Sequence, residues 1–168
     1  MARNAQNADI AVLLPAFNEE EGLAHVIEGF GQALPDARII VCDNNSNDRT
    51  SAVARMAGAE VWKQPLPGKG NAMRRLFREI DADVYIMCDA DGSYDATAAP
   101  ALVEKLRKEK LDMIVAARQS GNEKYRPGHA LGNRIFTWVM GLAFGRHFND
   151  IFSGYRVFSR RFVKSFPM

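Results

Sequence analysis

The sequence predicts an α/β domain with a mainly parallel central sheet flanked by helices. Two observations carry this. Short apolar runs such as Ile10-Ala11-Val12-Leu13-Leu14 are continuous instead of alternating, the pattern of strands buried on both faces. Between them lie segments with apolar residues at helical spacing, joined by short links, and this strand–helix alternation recurs five times.

The elements follow in order. Residues 1–8 are polar and read as a loose tail. The first strand, Ile10 to Leu14, ends at Pro15. Asn18 suits a helix N-cap, with Glu19, Glu20 and Glu21 in the first turn, where the helix dipole favours carboxylates. Leu23, Val26, Ile27, Phe30 and Leu34 mark that helix, and Pro35 closes it. A second strand, Ala37 to Cys42, ends at Asp43. The polar turn Asn44 to Thr50 leads to a helix through Ala52, Val53 and Met56, stopped by Gly58. Ala59 to Lys63 is a third strand. A loop over Pro65 to Asn71 precedes a helix carrying Met73, Leu76, Phe77 and Ile80. The fourth strand, Asp83 to Cys88, delivers Asp89. A helix from Ala98 to Lys108 and a fifth strand, Leu111 to Ala116, complete the series. Beyond it, residues 119–128 are polar, and 131–144 form a helix that is apolar over much of its circumference. That helix suits burial in its own core or on a second copy, or contact with a membrane or partner, burial being the commoner case for this composition.

Composition narrows the function. The chain has 168 residues, one domain by length, with 47% hydrophobic and 25% charged residues. A net charge of +2 gives no support to nucleic-acid binding. Cys42 and Cys88 each close an apolar run and behave as small buried hydrophobes, which suits a cytosolic protein with reduced thiols. No run approaches 18 consecutive apolar residues, so no transmembrane helix is expected in these residues.

The stretch Met87 to Asp95 draws attention because Asp89 and Asp91 are separated by one small residue. In an extended segment residues i and i+2 share a side, so both carboxylates face one point, as a hard divalent cation requires. A plain turn is the competing reading, since Asp, Gly and Ser are common after any strand. The wider pattern tips the balance toward a site. Asn18 and Glu19, Asp43, Lys69, Asp89 and Asp91, and Arg118 follow five successive strands, and ligands bind beyond the carboxyl ends of such sheets. Lys69 lies between Gly68 and Gly70, which let backbone approach phosphate oxygens. The loop is not a Walker motif, and the first strand opens into no Gly-x-Gly-x-x-Gly. His25, His129 and His147 lack metal spacing.

These residues resemble the family-2 glycosyltransferases of the GT-A fold, the Rossmann-like fold of nucleotide-diphospho-sugar transferases. Within them the likeness is to the dolichyl- or polyprenyl-phosphate mannose and glucose synthases. It extends over residues 9–166. It is carried by Pro15-Ala16-Phe17-Asn18-Glu19, Asp43-Asn44-Asn45-Ser46-Asn47-Asp48, Gly68-Lys69-Gly70-Asn71-Ala72, Asp89-Ala90-Asp91, Pro100, Ala117-Arg118, Gly132-Asn133 and Ser153-Gly154-Tyr155-Arg156.

The resemblance implies an inverting hexosyltransferase using Mg²⁺ or Mn²⁺. Pro15, Ala16, Phe17, Asn18, Glu19, Asp43, Lys69, Asp89 and Ala90 would form the site of a GDP- or UDP-sugar. Lys69 and Arg156 would neutralise the diphosphate. Asp89 and Asp91 would hold the metal, with Asp91 its main ligand. Arg118, Arg126 and Arg134 would meet the acceptor phosphate of a lipid at the membrane surface. Asp89, Asp91, Arg118 and Arg156 are the expected catalytic set. A phosphate oxygen is already nucleophilic at neutral pH, so no strong general base is required.

The resemblance departs at Asn44, where the family has a second Asp, and at Ser93, where several relatives carry Gln. It also implies one catalytic domain over 1–168 that is cut short at its C-terminal end. The protein is then cytoplasmic, peripheral to the inner membrane or anchored there by a later segment. Three other readings compete. They are a related transferase with a soluble acceptor (a phosphorylated small acid or a glycan), a nucleotidyltransferase, and a binding module inactive through truncation. A nucleotidyltransferase would open with a Gly-rich loop that this chain lacks.

Overall fold

The computed structural model describes residues 9–116 and 153–165. Among the described residues six strands form one sheet: β1 (Ile10–Ala16), β2 (Arg38–Asp43), β3 (Glu60–Lys63), β4 (Val84–Met87), β5 (Met113–Val115) and β6 (Arg156–Ser159). Their order is β3-β2-β1-β4-β6-β5. The first four are mutually parallel, and β6 runs antiparallel between β4 and β5. The expected mainly parallel sheet is therefore present. The strand β6 was not expected. Its four residues carry no apolar run, and its partners lie some seventy and forty residues earlier in the chain.

Helices cover both faces. Helices α1 (Leu23–Ala33), α2 (Thr50–Met56) and α4 (Ala99–Lys108) pack on one face against Val12, Leu14, Val41, Ile86 and Val157. Helices α3 (Lys69–Glu79) and α5 (Arg160–Ser165) pack on the other, against Leu13, Ile40, Tyr85 and Phe158. Alternate β1 residues thus enter opposite cores, and all of Ala11 to Leu14 is fully buried. Cys42 and Cys88 are free and buried, as expected; burial pushes the Cys42 thiol up to about 11.

Pro15 lies inside β1, one of the sheet's central strands. It is tolerated because the β1–β4 ladder ends at Leu13, so the N–H that proline lacks falls past the end of that ladder. Helix α1 starts at Leu23, four residues later than a cap at Asn18 predicts. Asn18 sits at φ 55°, and its carboxamide is engaged elsewhere, while Leu23 N–H bonds to Glu19 carbonyl at 3.1 Å in a preliminary turn. Lys69 is not in a loop but is the first residue of α3, which Gly68 caps at φ 115°. The α4 segment begins with a 3₁₀ turn at Ala96–Ala98, capped by the Asp95 side chain on Thr97 N–H.

No helix among the described residues is long and apolar enough to cross a membrane. The expected tail 1–8, the helix 131–144, His129, His147, Ala117-Arg118 and Gly132-Asn133 lie outside the described residues.

Candidate active site on the carboxyl rim

The carboxyl ends of β1, β2 and β4 meet the N-terminus of α3 and the start of β6 on one rim. Antiparallel β6 contributes its first residue there: Arg156 pairs opposite Met87 and Val115, and its Nε donates to Ser153 carbonyl at 3.1 Å.

The β1 and β2 side is stitched together by polar contacts. Asn18 N–H donates to Ser46 Oγ at 3.0 Å, and Asn18 Oδ1 accepts from Asn47 N–H at 2.9 Å. Glu19 N–H donates to Thr50 Oγ1 at 2.9 Å, and Glu20 Oε2 accepts from Arg49 N–H at 2.8 Å. Asp43 is buried. Its carboxylate accepts from Ser46 N–H at 2.9 Å and from Ser51 Oγ. Burial alone would raise this carboxyl, but the hydrogen bonds from Ser51 and Ser46 outweigh it and hold it below its ordinary range. Asp43 thus spends two acceptor positions on its own turn, and a ligand would meet what remains. Pro15 is half-buried in β1, and Ala16 is buried with its carbonyl accepting from Asn44 N–H at 2.8 Å. Phe17 projects from this side with 55% of its surface exposed.

Asn44 has a role that sequence reading missed. It is buried, and its Nδ2 donates to Gln64 carbonyl at 3.1 Å and Leu66 carbonyl at 2.7 Å, while Oδ1 accepts from Gly68 N–H at 2.6 Å. The side chain therefore clamps the loop that leads into Lys69. An aspartate could not supply the two donors. The departure from the family pattern at this position is a structural clamp in this chain, and only the contact partners reveal it.

The β4 side differs. The strand ends at Met87, and Ala90–Asp91 form a turn, with Gly92 at φ 76°. The extended i, i+2 geometry expected for Asp89 and Asp91 is therefore absent. The turn itself brings them to the rim. Asp89 Oδ1 pairs with Lys69 Nζ, joining two residues expected in one site. Asp91 is exposed and accepts from Ser93 N–H at 3.0 Å and Ser93 Oγ at 2.6 Å. Ala90 is buried beneath the turn. The two sides touch at Gly22, where an added Cβ would sit 3.4 Å from the Asp91 backbone. Burial, followed by the charges of Asp91, Asp89 and Asp48, raises the Glu19 carboxyl above its ordinary range. Glu19, Asp89 and Asp91 thus share one region of negative potential.

That potential and donor set bear on a metal. Among the described residues no three of His, Cys, Asp or Glu form a ligand group. Two carboxylates fit an ion such as Mg²⁺ or Mn²⁺, which takes one or two protein oxygens and completes its shell with phosphates and water. They do not fit a closed protein cage. Arg118, Arg126 and Arg134 lie outside the described residues.

A mainly parallel α/β sheet with this carboxylate- and lysine-bearing rim has the architecture of the GT-A glycosyltransferases. Glycosyl transferase family 2 matches residues 11–166, and the chain belongs to that family. Protein RfbJ of Shigella flexneri is 48% identical over 72% of this chain and 95% of its own length. A dolichyl-phosphate hexose transferase of Haloferax volcanii is 26% identical over 92% of this chain and 68% of its own. Among solved structures, glucosyl-3-phosphoglycerate synthase from Mycobacterium tuberculosis, in complex with Mn²⁺ and uridine-diphosphate-glucose, superposes with a TM-score of 0.77. Its identity is 26%, covering 96% of this chain and 60% of that one. Against another curated relative the chain spans 50% of the length.

Proposed function

We propose that the chain transfers a hexose from a nucleoside diphosphate sugar to a polyprenyl or dolichyl phosphate, with inversion at the anomeric carbon. The observation that carries this reading is the Lys69–Asp89 pair beside Asp91 on the carboxyl rim, with Arg156 at the adjoining start of β6. In this reading Lys69 and Arg156 neutralise the diphosphate. Its position at the first turn of α3 adds the positive end of a helix dipole to the Lys69 charge. Asp89 and Asp91 hold a divalent cation, which when bound stabilises negative charge on the departing diphosphate. Pro15, Ala16, Phe17, Asn18, Glu19, Asp43 and Ala90 form the base and ribose end, where exposed Phe17 offers an apolar face. Arg118, Arg126 and Arg134 receive the acceptor phosphate.

The lipid acceptor draws support from the dolichyl-phosphate hexose transferase among the relatives. The solved neighbour, a glucosyl-3-phosphoglycerate synthase, favours a soluble phosphorylated acceptor as the second reading. Radiolabelled UDP-glucose and GDP-mannose, each with Mn²⁺, separate the two. Incubation with undecaprenyl phosphate in detergent is expected to carry label into the organic phase. Label that moves only onto 3-phosphoglycerate would replace the lipid reading with the soluble one.

A further inference from the structure

Among the described residues, the Asp89 carboxylate meets groups of two different kinds. Oδ1 pairs with Lys69, and Oδ2 lies directly over Gly154, just ahead of β6. A Cβ built on Gly154 would overlap the whole carboxylate; even Oδ1, the farthest of its three atoms, would be 2.7 Å away, and real Cβ contacts essentially never fall under 3.0 Å. Gly154 is not among the glycines with positive φ, so its backbone conformation does not demand glycine. Space does. The Gly154 backbone is itself fixed: its N–H donates to Tyr94 Oη at 2.5 Å, and Tyr94 stacks edge-on against Tyr155 with centroids 5.7 Å apart. Next to it, Ser153 Oγ donates to Ala116 carbonyl and accepts from Tyr155 N–H at 3.2 Å. Tyr94 comes from the turn that carries Asp91, so one short connection ties both carboxylates to β6.

We infer that Gly154 is a positioning residue for Asp89, held in place by Tyr94: its missing side chain leaves the space in which the Asp89 carboxylate lies and stays paired with Lys69. The part of this inference that concerns metal and nucleotide rests on the proposed function. The packing part does not.

The experiment is a double-mutant cycle in the full chain, read first by thermal unfolding without ligand. Gly154→Ala is expected to lower Tm by roughly 5 °C, the scale of an overpacked site in a domain of this size. In an Asp89→Ala background, with the carboxylate gone, the same change is expected to cost less than about 1 °C. Equal losses in both backgrounds would overturn the inference, because Gly154 would then act independently of Asp89. The second readout is UDP binding titrated with Mn²⁺. Gly154→Ala is expected to raise the Mn²⁺ concentration at half-saturation about tenfold or more. Tyr94→Phe, which keeps the ring and removes the phenol, is expected to raise it about threefold. Unchanged Mn²⁺ dependence in Gly154→Ala would refute the positioning role. Absence of Mn²⁺-dependent binding in the unsubstituted protein would instead defeat the nucleotide reading, with the Tm cycle still deciding the packing claim.

Discussion

The two halves of the rim are built differently. On the β1 and β2 side, backbone amides and short polar side chains satisfy one another: buried Asn44 has its donors and its acceptor engaged within the protein, and buried Asp43 has two acceptor positions engaged there. On the β4 side, Asp91 is exposed, with Ser93 as its partner, and Asp89 relies on the half-exposed Lys69. The first half is preorganised, and little of it needs to move when a ligand arrives. The second carries the charges of Asp91 and Asp89, which add to burial in raising the Glu19 carboxyl above its ordinary range. The difference assigns shape to one half and charge to the other.

The largest effect is expected from removing charge. Asp91→Ala should slow sugar transfer roughly 100-fold or more, since in the proposed function Asp91 would hold the cation that offsets charge on the departing diphosphate. Tm should barely change, because the side chain is exposed. Steady-state rates together with thermal unfolding check both statements. A transfer rate within a few-fold of the parent would erase the contrast between the halves.

The opposite profile is expected on the shape side. Asn44→Asp replaces two donors with acceptors opposite the Gln64 and Leu66 carbonyls, and should cost about 2 kcal/mol in stability. Urea unfolding measures it. The same variant should weaken nucleotide binding only by loosening the loop before Lys69.

This contrast also marks how far the sequence could be read. The strand and helix order through β5 was legible because continuous apolar runs and Gly or Pro breaks are local signals. So was the gathering of Lys69 and Asp89, because parallel strands deliver their carboxyl ends to one rim. The strand β6 was not legible, since a four-residue antiparallel insertion is defined by distant partners. Asn18 reads equally well as a helix cap and as a left-handed corner, and only its contacts with Ser46 and Asn47 decide. Tyr94 was hidden in a turn of small polar residues. A lone aromatic within Gly-Ser-Tyr-Asp was the one available hint of a packing role.

Smaller effects sharpen the comparison. The Asp43 carboxyl is held low in the folded state, so its contribution to stability is full above about pH 4, near the unfolded value, and is lost as pH falls through the folded one. Ser51→Ala should remove about 1 kcal/mol at neutral pH and flatten that acid loss. Denaturant midpoints between pH 2 and 7 follow it. The Glu19 carboxyl should titrate above its ordinary range, raised by burial and then by the Asp91 charge. Asp91→Asn should move it down, and so should added Mg²⁺. Side-chain NMR titration reads both, and a Glu19 indifferent to Asp91 would separate it from the charged half.

The central claim is that the rim binds a nucleoside diphosphate together with a divalent cation. Isothermal titration of UDP and GDP, with and without Mn²⁺, into the parent chain and into Asp91→Ala tests it most directly. The account predicts saturable binding of at least one nucleotide that needs Mn²⁺ and disappears in Asp91→Ala. Binding that is equally tight without metal, and unchanged in the variant, would contradict it.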